Sequence, residues 1–240
     1  MAHDERSERH AKAERRFAAA LRELERRPDA VIDVGVRRGT PWLYDVYADV
    51  PFVLVDPQEG GAALLTSRPK AFVFVNKAAG RAPGHLTLHE QGAMSTFLTR
   101  TKLTEVPTHK SYDVEITTLD DLIDAHLPAA RKLGLKIDTE GFEMDVIAGL
   151  DRHLPHIDFI ISEASVLNRF EDSYNFSELV TEFWRKGFRF YNLLGEIETR
   201  APRVHDCIFL QANDPAFDRR KPDTDTGAAS VNVVSDSSKK

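Results

Sequence analysis

Three carboxylates stand close together in Asp138-Thr139-Glu140-Gly141-Phe142-Glu143, directly after an apolar run. If that run is a strand and Glu140 and Glu143 begin a helix, Asp138 lies at a strand's carboxyl end, where open parallel sheets present their ligand-binding groups. Acids placed there can hold a cation or take a proton, while Glu143 complements the positive start of the helix. Two further segments point to the same crevice. In Asp33-Val34-Gly35-Val36-Arg37-Arg38-Gly39-Thr40 an apolar strand runs into two glycines and then a helix. Gly35 lets a ligand approach the backbone, Gly39 allows helix to pack on strand, and the helix start offers N–H donors to a carboxylate. The Gly-x-x-x-Gly spacing departs from the Gly-x-Gly-x-x-Gly that cradles a pyrophosphate, which favours a ligand without phosphates. Asp56, 23 residues beyond Asp33, ends the run Phe52-Val53-Leu54-Val55. A carboxylate in that place can accept both hydroxyls of a ribose. A plain tight turn uses the same glycines, and Asp56-Pro57 is also a turn former in its own right.

A general base needs a titratable group at the same end of the sheet. Glu163 closes the run Phe159-Ile160-Ile161-Ser162, Glu140 follows Asp138, and His205 stands just before an expected strand at residues 207–211. Each of the acids could equally be a hydrogen-bonded structural carboxylate.

The elements that must position these groups are short runs of Val, Ile and Phe alternating with helical periodicity, the pattern of buried parallel strands and their crossovers. Seven strands are expected at residues 30–34, 51–56, 71–75, 133–138, 157–163, 188–193 and 207–211, with helices near 40–47, 60–66, 119–126, 140–150 and 176–186. Residues 76–132 exceed an ordinary crossover, and alternation at 85–88 and 112–117 predicts extra β-structure in an insertion that shapes a substrate site. Ahead of the sheet, residues 4–27 are rich in Ala, Glu and Arg and carry a stripe of Ala13, Phe17, Ala20, Leu21 and Leu24. That stripe is expected to pack on the main body or on a second subunit, with Pro28 stopping the helix. The chain thus divides into an amphipathic helix at 1–28, one α/β domain at 29–213, and a mobile tail at 214–240 too polar to offset its ordering entropy.

The stretch Lys136-Ile137-Asp138-Thr139-Glu140-Gly141-Phe142-Glu143, with Gly149 near the helix end, resembles the signature of the FkbM family of methyltransferases. The resemblance extends to Asp33-Val34-Gly35-x-x-x-Gly39, to Asp56-Pro57 where the family more often has Glu-Pro, to Asn76-Lys77-Ala78-Ala79-Gly80, to Ser95-Thr96-Phe97-Leu98 and to Ile116-Thr117-Thr118-Leu119-Asp120, covering about residues 30–211. It implies a doubly wound, Rossmann-like class I methyltransferase fold with a mostly parallel seven-stranded sheet and helices on both faces. It also implies S-adenosylmethionine (SAM) as cofactor, bound by Asp33, Gly35, Val36, Gly39, Asp56, Pro57, Ala78, Ser95 and Asp138, with O-methylation of a small molecule as the activity. Asp138, Glu140, Glu163 and His205 are then the candidate catalytic residues. No metal is expected, because Glu163-Ala164 stands where metal-assisted methyltransferases carry a pair such as Asp-Asn. Arg37-Arg38 is a departure, since the family commonly has small or amide side chains there. A nicotinamide-dependent oxidoreductase would use the same glycine turn and Asp56, and a cofactor-free scaffold would use the charged N-terminal helix as a partner surface.

Composition narrows the classes further. With 240 residues, 42% hydrophobic content and no apolar run of membrane-spanning length, one large core is expected. A net charge of -6 removes the basic footprint of a nucleic-acid binder. The single cysteine, Cys207, and the lack of a signal-like N-terminus fit a cytoplasmic enzyme acting on a small molecule, with a homodimer as a possible assembly.

Overall fold

The computed structural model describes residues 2–194 and 204–218. The chain runs α1 (Ala2–Glu23), β1 (Ala30–Val34), α2 (Pro41–Val46), β2 (Phe52–Val55), α3 (Gly61–Leu64), β3 (Phe72–Val75), β4 (Ala78–Ala79), β5 (Gly84–Glu90), β6 (Lys110–Thr117) and α4 (Leu119–His126). It continues through β7 (Leu133–Ile137), α5 (Glu143–Ala148), β8 (Ile157–Ser165), α6 (Phe176–Arg185), β9 (Phe188–Leu194) and β10 (Val204–Gln211). All seven strands expected from the apolar runs join one sheet in the order β3-β2-β1-β7-β8-β10-β9. The pairs along β3, β2, β1, β7 and β8 are parallel, and β10 runs antiparallel to both β8 and β9.

Residue alternation splits the core into two layers. Ile32, Val34, Val53, Val55, Leu135 and Ile137 face the side covered by Leu119, Ile123, Val146, Leu179 and Phe183 of α4, α5 and α6. Val31, Phe52, Leu54, Ile161, Ile208 and Leu210 face the side covered by Leu21, Leu43 and Trp42 of α1 and α2. Strands buried on both faces read as continuous apolar runs, which is why they were easy to locate. The doubly wound architecture follows, and its switch point lies between β1 and β7, where the chain leaves for β2 on one side and returns on the other.

The expected extra β-structure is a separate three-stranded sheet, β4-β6-β5, within the insertion. The N-terminal stripe packs on this chain's own body, where α1 contacts α2 and β9. Leu21 and Leu24 are its buried positions, Ala18 beside the stripe is buried as well, and Phe17 meets Trp42 edge to face at 5.3 Å between centroids. The helix stops at Glu23, ahead of Pro28, and Glu25 turns away in the left-handed region at φ 54°. Arg26 then anchors the junction, donating to Asp158 at 3.2 Å and to Asp214 at 2.7 Å. Asp214 also caps a short turn at Pro215–Phe217, whose Phe217 ring packs on Tyr191. The described body therefore runs on through residue 218, past the boundary set by composition, and the remainder of the expected tail lies outside the described residues. No helix of the described residues is long and apolar enough to cross a membrane.

Candidate active site

A cleft of about 590 Å³ opens at the carboxyl ends of β1, β2 and β7. Gly35, Val36, Gly39, Asp56, Pro57, Ala78, Ser95, Asp138, Glu140 and Glu163 all line it. Of the residues expected in the site, two do not. Asp33 lies behind the floor, fully buried, accepting from Tyr44 at 3.0 Å with Lys136 Nζ 3.6 Å away. His205 is displaced by strand alternation. β10 begins at Val204, three residues earlier than the apolar run suggested, so Val204 and Asp206 reach the cleft and His205 between them belongs to the opposite face.

The glycines of the turn also make close approaches of their own. A Cβ on Gly35, whose φ is +82°, would stand 1.8 Å from the backbone oxygen of Asp138, so the bare glycine lets the β1 and β7 ends close together. On Gly39, at φ +102°, a Cβ would stand 2.3 Å from the backbone oxygen of Ser67, so its packing is against the loop after α3 and not against a strand. The helix expected from Glu140 begins only at Glu143, because Glu140 and Gly141 occupy left-handed backbone at φ 52° and 98°. That kink turns Glu140 back over the cleft. Glu143 holds it: buried completely, it accepts from the Thr139 and Gly141 amides at 2.9 and 3.2 Å, from the Thr139 hydroxyl at 3.1 Å and from Tyr174.

Asp56 is only 4% exposed, and its two oxygens are fixed by different amides, Arg37 N–H at 2.7 Å and Gln58 N–H at 3.0 Å. Each carboxylate oxygen has a second lone-pair direction, which leaves capacity for two ligand hydroxyls. Gln58 ties this corner to the insertion, donating to Gly92 O at 3.2 Å and to Ser95 Oγ at 2.7 Å. Val36, Val55, Ala78, Leu88 and Phe97 supply apolar wall around it. From the other side Ala13, Glu14 and Phe17 of α1 complete the lining.

The deep end is acidic and crowded. Lys136, buried within β7, reaches Asp138 at 3.1 Å; burial by itself would lower its pKa, but Asp138, Asp33 and Asp206 together hold it above the ordinary lysine value. Burial pushes Glu163 well above the usual carboxylate range, the charges of Asp138 and Glu140 push it further, and Arg169 opposes them. Asp206 is raised to about 6 by burial and by Asp138. Burial and mutual repulsion thus raise the proton affinity of Glu163 and Asp206 together. Burial raises Glu140 too, against the pull of two arginines that latch it: Arg100 at 3.0 Å and Arg169, which also donates to Glu163 at 2.8 Å. Arg100 further donates to Gln91 and to Met94 O, both at 2.7 Å, so the insertion is pinned over Glu140.

The family model of the methyltransferase FkbM domain matches residues 33–190, a span that takes in the glycine turn, Asp56, the insertion and the acidic junction. The chain belongs to the FkbM methyltransferase family. Among solved structures, this FkbM methyltransferase is similar to magnesium protoporphyrin IX methyltransferase from Synechocystis with bound SAM, at 11% identity over 84% of this chain and 79% of that one, with a TM-score of 0.46. It is also similar to a putative SAM-dependent methyltransferase from Listeria monocytogenes, at 7% identity over 84% and 99% of the two chains and a TM-score of 0.44. No curated protein matches it. Outside the signature, the structure brings to the cleft residues that the motifs did not single out: Gln58 and Asp206 in its lining, with Arg100 and Arg169 on Glu140. Lys136 left a readable signal, a charge inside an otherwise apolar strand.

Proposed function

We propose that this chain transfers a methyl group from SAM to a hydroxyl of a small molecule, with Glu163 as general base. The observation that carries the reading is the pairing, within one cleft, of an amide-fixed Asp56 having two spare lone-pair directions with a buried cluster of carboxyls. The donor set suits a nucleoside bearing a positive sulfur: Asp56 for the ribose hydroxyls, the apolar wall at Val36 and Ala78 for the base, and Asp138 for the positive charge. Gly35, Gly39, Pro57 and Ser95 shape the same wall, and Asp33 acts from behind it by holding Lys136. When bound, SAM supplies an electrophilic methyl whose C–S bonding electrons remain on sulfur as the new bond to the acceptor oxygen forms.

The protein's own part is positioning and proton handling. A hydroxyl holds its proton tightly, so a carboxylate whose proton affinity is raised above the ordinary range is a better base than an ordinary one. Glu163 has that property and one oxygen already oriented by Arg169, leaving the other for the acceptor. Glu140, held by two arginines, keeps the insertion closed and excludes water. The α1 residues at the opposite wall narrow the entrance.

Calorimetry with S-adenosylhomocysteine (SAH) tests the cofactor assignment. Wild type binds SAH, and Asp56→Ala weakens binding by about tenfold to a hundredfold, the scale of losing charge-assisted hydrogen bonds. Binding of NAD without SAH would overturn the assignment. Isotope-labelled SAM offered with a panel of hydroxyl-bearing and amine-bearing small molecules tests the acceptor class. Label confined to amines would refute oxygen transfer, and Glu163→Gln should slow turnover by about 10² to 10⁴ with SAH affinity unchanged.

A further inference from the structure

The charge on the cleft is divided. Its deep end holds Asp138, Glu163 and Asp206, whereas Arg37 and Arg38 stand in the lining beside the glycine turn. Neither guanidinium has a carboxylate or hydrogen-bond partner among the described residues; Arg37 has only the through-space pull of Asp56. Most other arginines near this cleft are neutralised, Arg100 by Glu140 and Arg169 by Glu140 and Glu163, and Lys77 in the lining pairs with Glu115.

Backbone geometry fixes the turn that carries both. Arg37 has φ 43°, a left-handed conformation that side chains rarely adopt, held there by its own N–H donating to Asp56 at 2.7 Å. The side chain then spans toward the insertion, its Nη2 lying 3.8 Å from where a Cβ on Gly92 would be. Arg38 is fixed by its carbonyl, which accepts from the Thr66 and Ser67 amides at 2.9 and 3.1 Å. Two adjacent guanidinia set over one opening, half-buried in the case of Arg37, repel each other until an anion sits between them. Burial first, and the neighbouring Arg38 second, lower the pKa of Arg37, as expected for a cation lacking its counterion.

We propose that Arg37 and Arg38 form an oxyanion subsite at the lip of the cleft, taking a carboxylate or phosphate-type group of a bound ligand. Guanidinium forks match such groups with two parallel N–H donors. Two ligands could bring the oxyanion: the amino-acid end of the cofactor, whose zwitterion would match the split charge of the cleft, or an acidic group on the acceptor. The first source rests on the SAM reading above and the second does not.

The test uses the full chain and its Arg37→Gln/Arg38→Gln double variant, which keeps both backbone N–H groups. Calorimetry is run with SAH and with 5′-methylthioadenosine, which lacks the amino-acid end, and thermal shift is run with inorganic phosphate in the presence and absence of SAH. A fall of about tenfold or more in SAH affinity with 5′-methylthioadenosine unaffected assigns the subsite to the cofactor's carboxylate. Unchanged SAH affinity, with a phosphate-induced shift in SAH-loaded wild type that the variant loses, assigns it to the acceptor. Equal loss for both nucleosides, or no difference between variant and wild type with any probe, overturns the subsite. Absence of SAH binding to wild type would refute the SAM reading instead, and the phosphate arm without SAH would still decide the oxyanion site.

Discussion

Glu143 contributes nothing to the cleft lining, yet three donors from the loop that carries Glu140, and a fourth from Tyr174, converge on it. Removing the acceptor leaves the half-buried Thr139 amide, the buried Gly141 amide and the Tyr174 hydroxyl without this partner. Glu143→Ala is therefore expected to cost about 3 kcal/mol in urea unfolding, and Glu143→Gln, which retains one acceptor oxygen, clearly less. Asp206 makes a different statement, about pH. Its folded pKa of about 6 lies above the value near 4 of an unfolded aspartate. Between those values the folded protein keeps a proton that the unfolded chain has released, so this group's contribution falls as pH rises from about 4 to 6 and is level above that. Glu163 acts in the same direction. Asp206→Asn should consequently gain on wild type across that window, by no more than about 3 kcal/mol, in unfolding midpoints measured at several pH values. A difference independent of pH would refute the assignment.

Elements hold the site through a few close approaches. Gly35→Ala would drive a methyl into the Asp138 carbonyl, so β1 and β7 must part. The expected outcome is loss of SAH binding together with a stability cost of about 3 kcal/mol or more. Arg100 latches a longer segment, and Arg100→Ala is expected to speed amide hydrogen exchange across residues 91–104 while leaving β1 and β7 protected. These two cases mark what the sequence could and could not disclose. The place of the β1 turn and of Asp138 at a strand end was legible because their residues are adjacent in the chain, where the apolar run and the residues that end it can be read together. β1, β2, β7 and β8 were legible because burial on both faces leaves unbroken apolar runs, and β3 and β9 because aromatic and branched residues cluster there although much of each strand is exposed or only half-buried. Arg100 and Arg169 were not, since they meet Glu140 only after loops 40 and 29 residues away have folded over it. Asp206 was not legible either: the apolar run begins at Cys207, whereas the strand begins at Val204, and alternation within it turns Asp206 to the cleft and His205 away. Glu140 looked helical because periodicity cannot register two consecutive positive φ angles.

At the scale of the whole molecule, the N-terminal helix joins stability to the site. Its Leu21 is buried in the layer formed with α2 and β2, whereas Phe17, four residues earlier on the same stripe, stands half-buried between Trp42 and the cleft. One helix face thus serves two tasks, one turn apart. If Leu21 serves the core alone, Leu21→Ala should cost about 2 to 5 kcal/mol with SAH affinity unchanged under conditions where the protein stays folded. Phe17→Ala should cost only about 1 kcal/mol, because its ring is partly exposed, yet it opens the wall beside Trp42 and should weaken SAH or acceptor binding several-fold. Calorimetry and urea unfolding on both variants separate the two roles. Parallel losses of stability and affinity in both would mean that α1 is a general brace, and a change in affinity limited to Phe17→Ala would establish the helix as the fourth wall of the cleft.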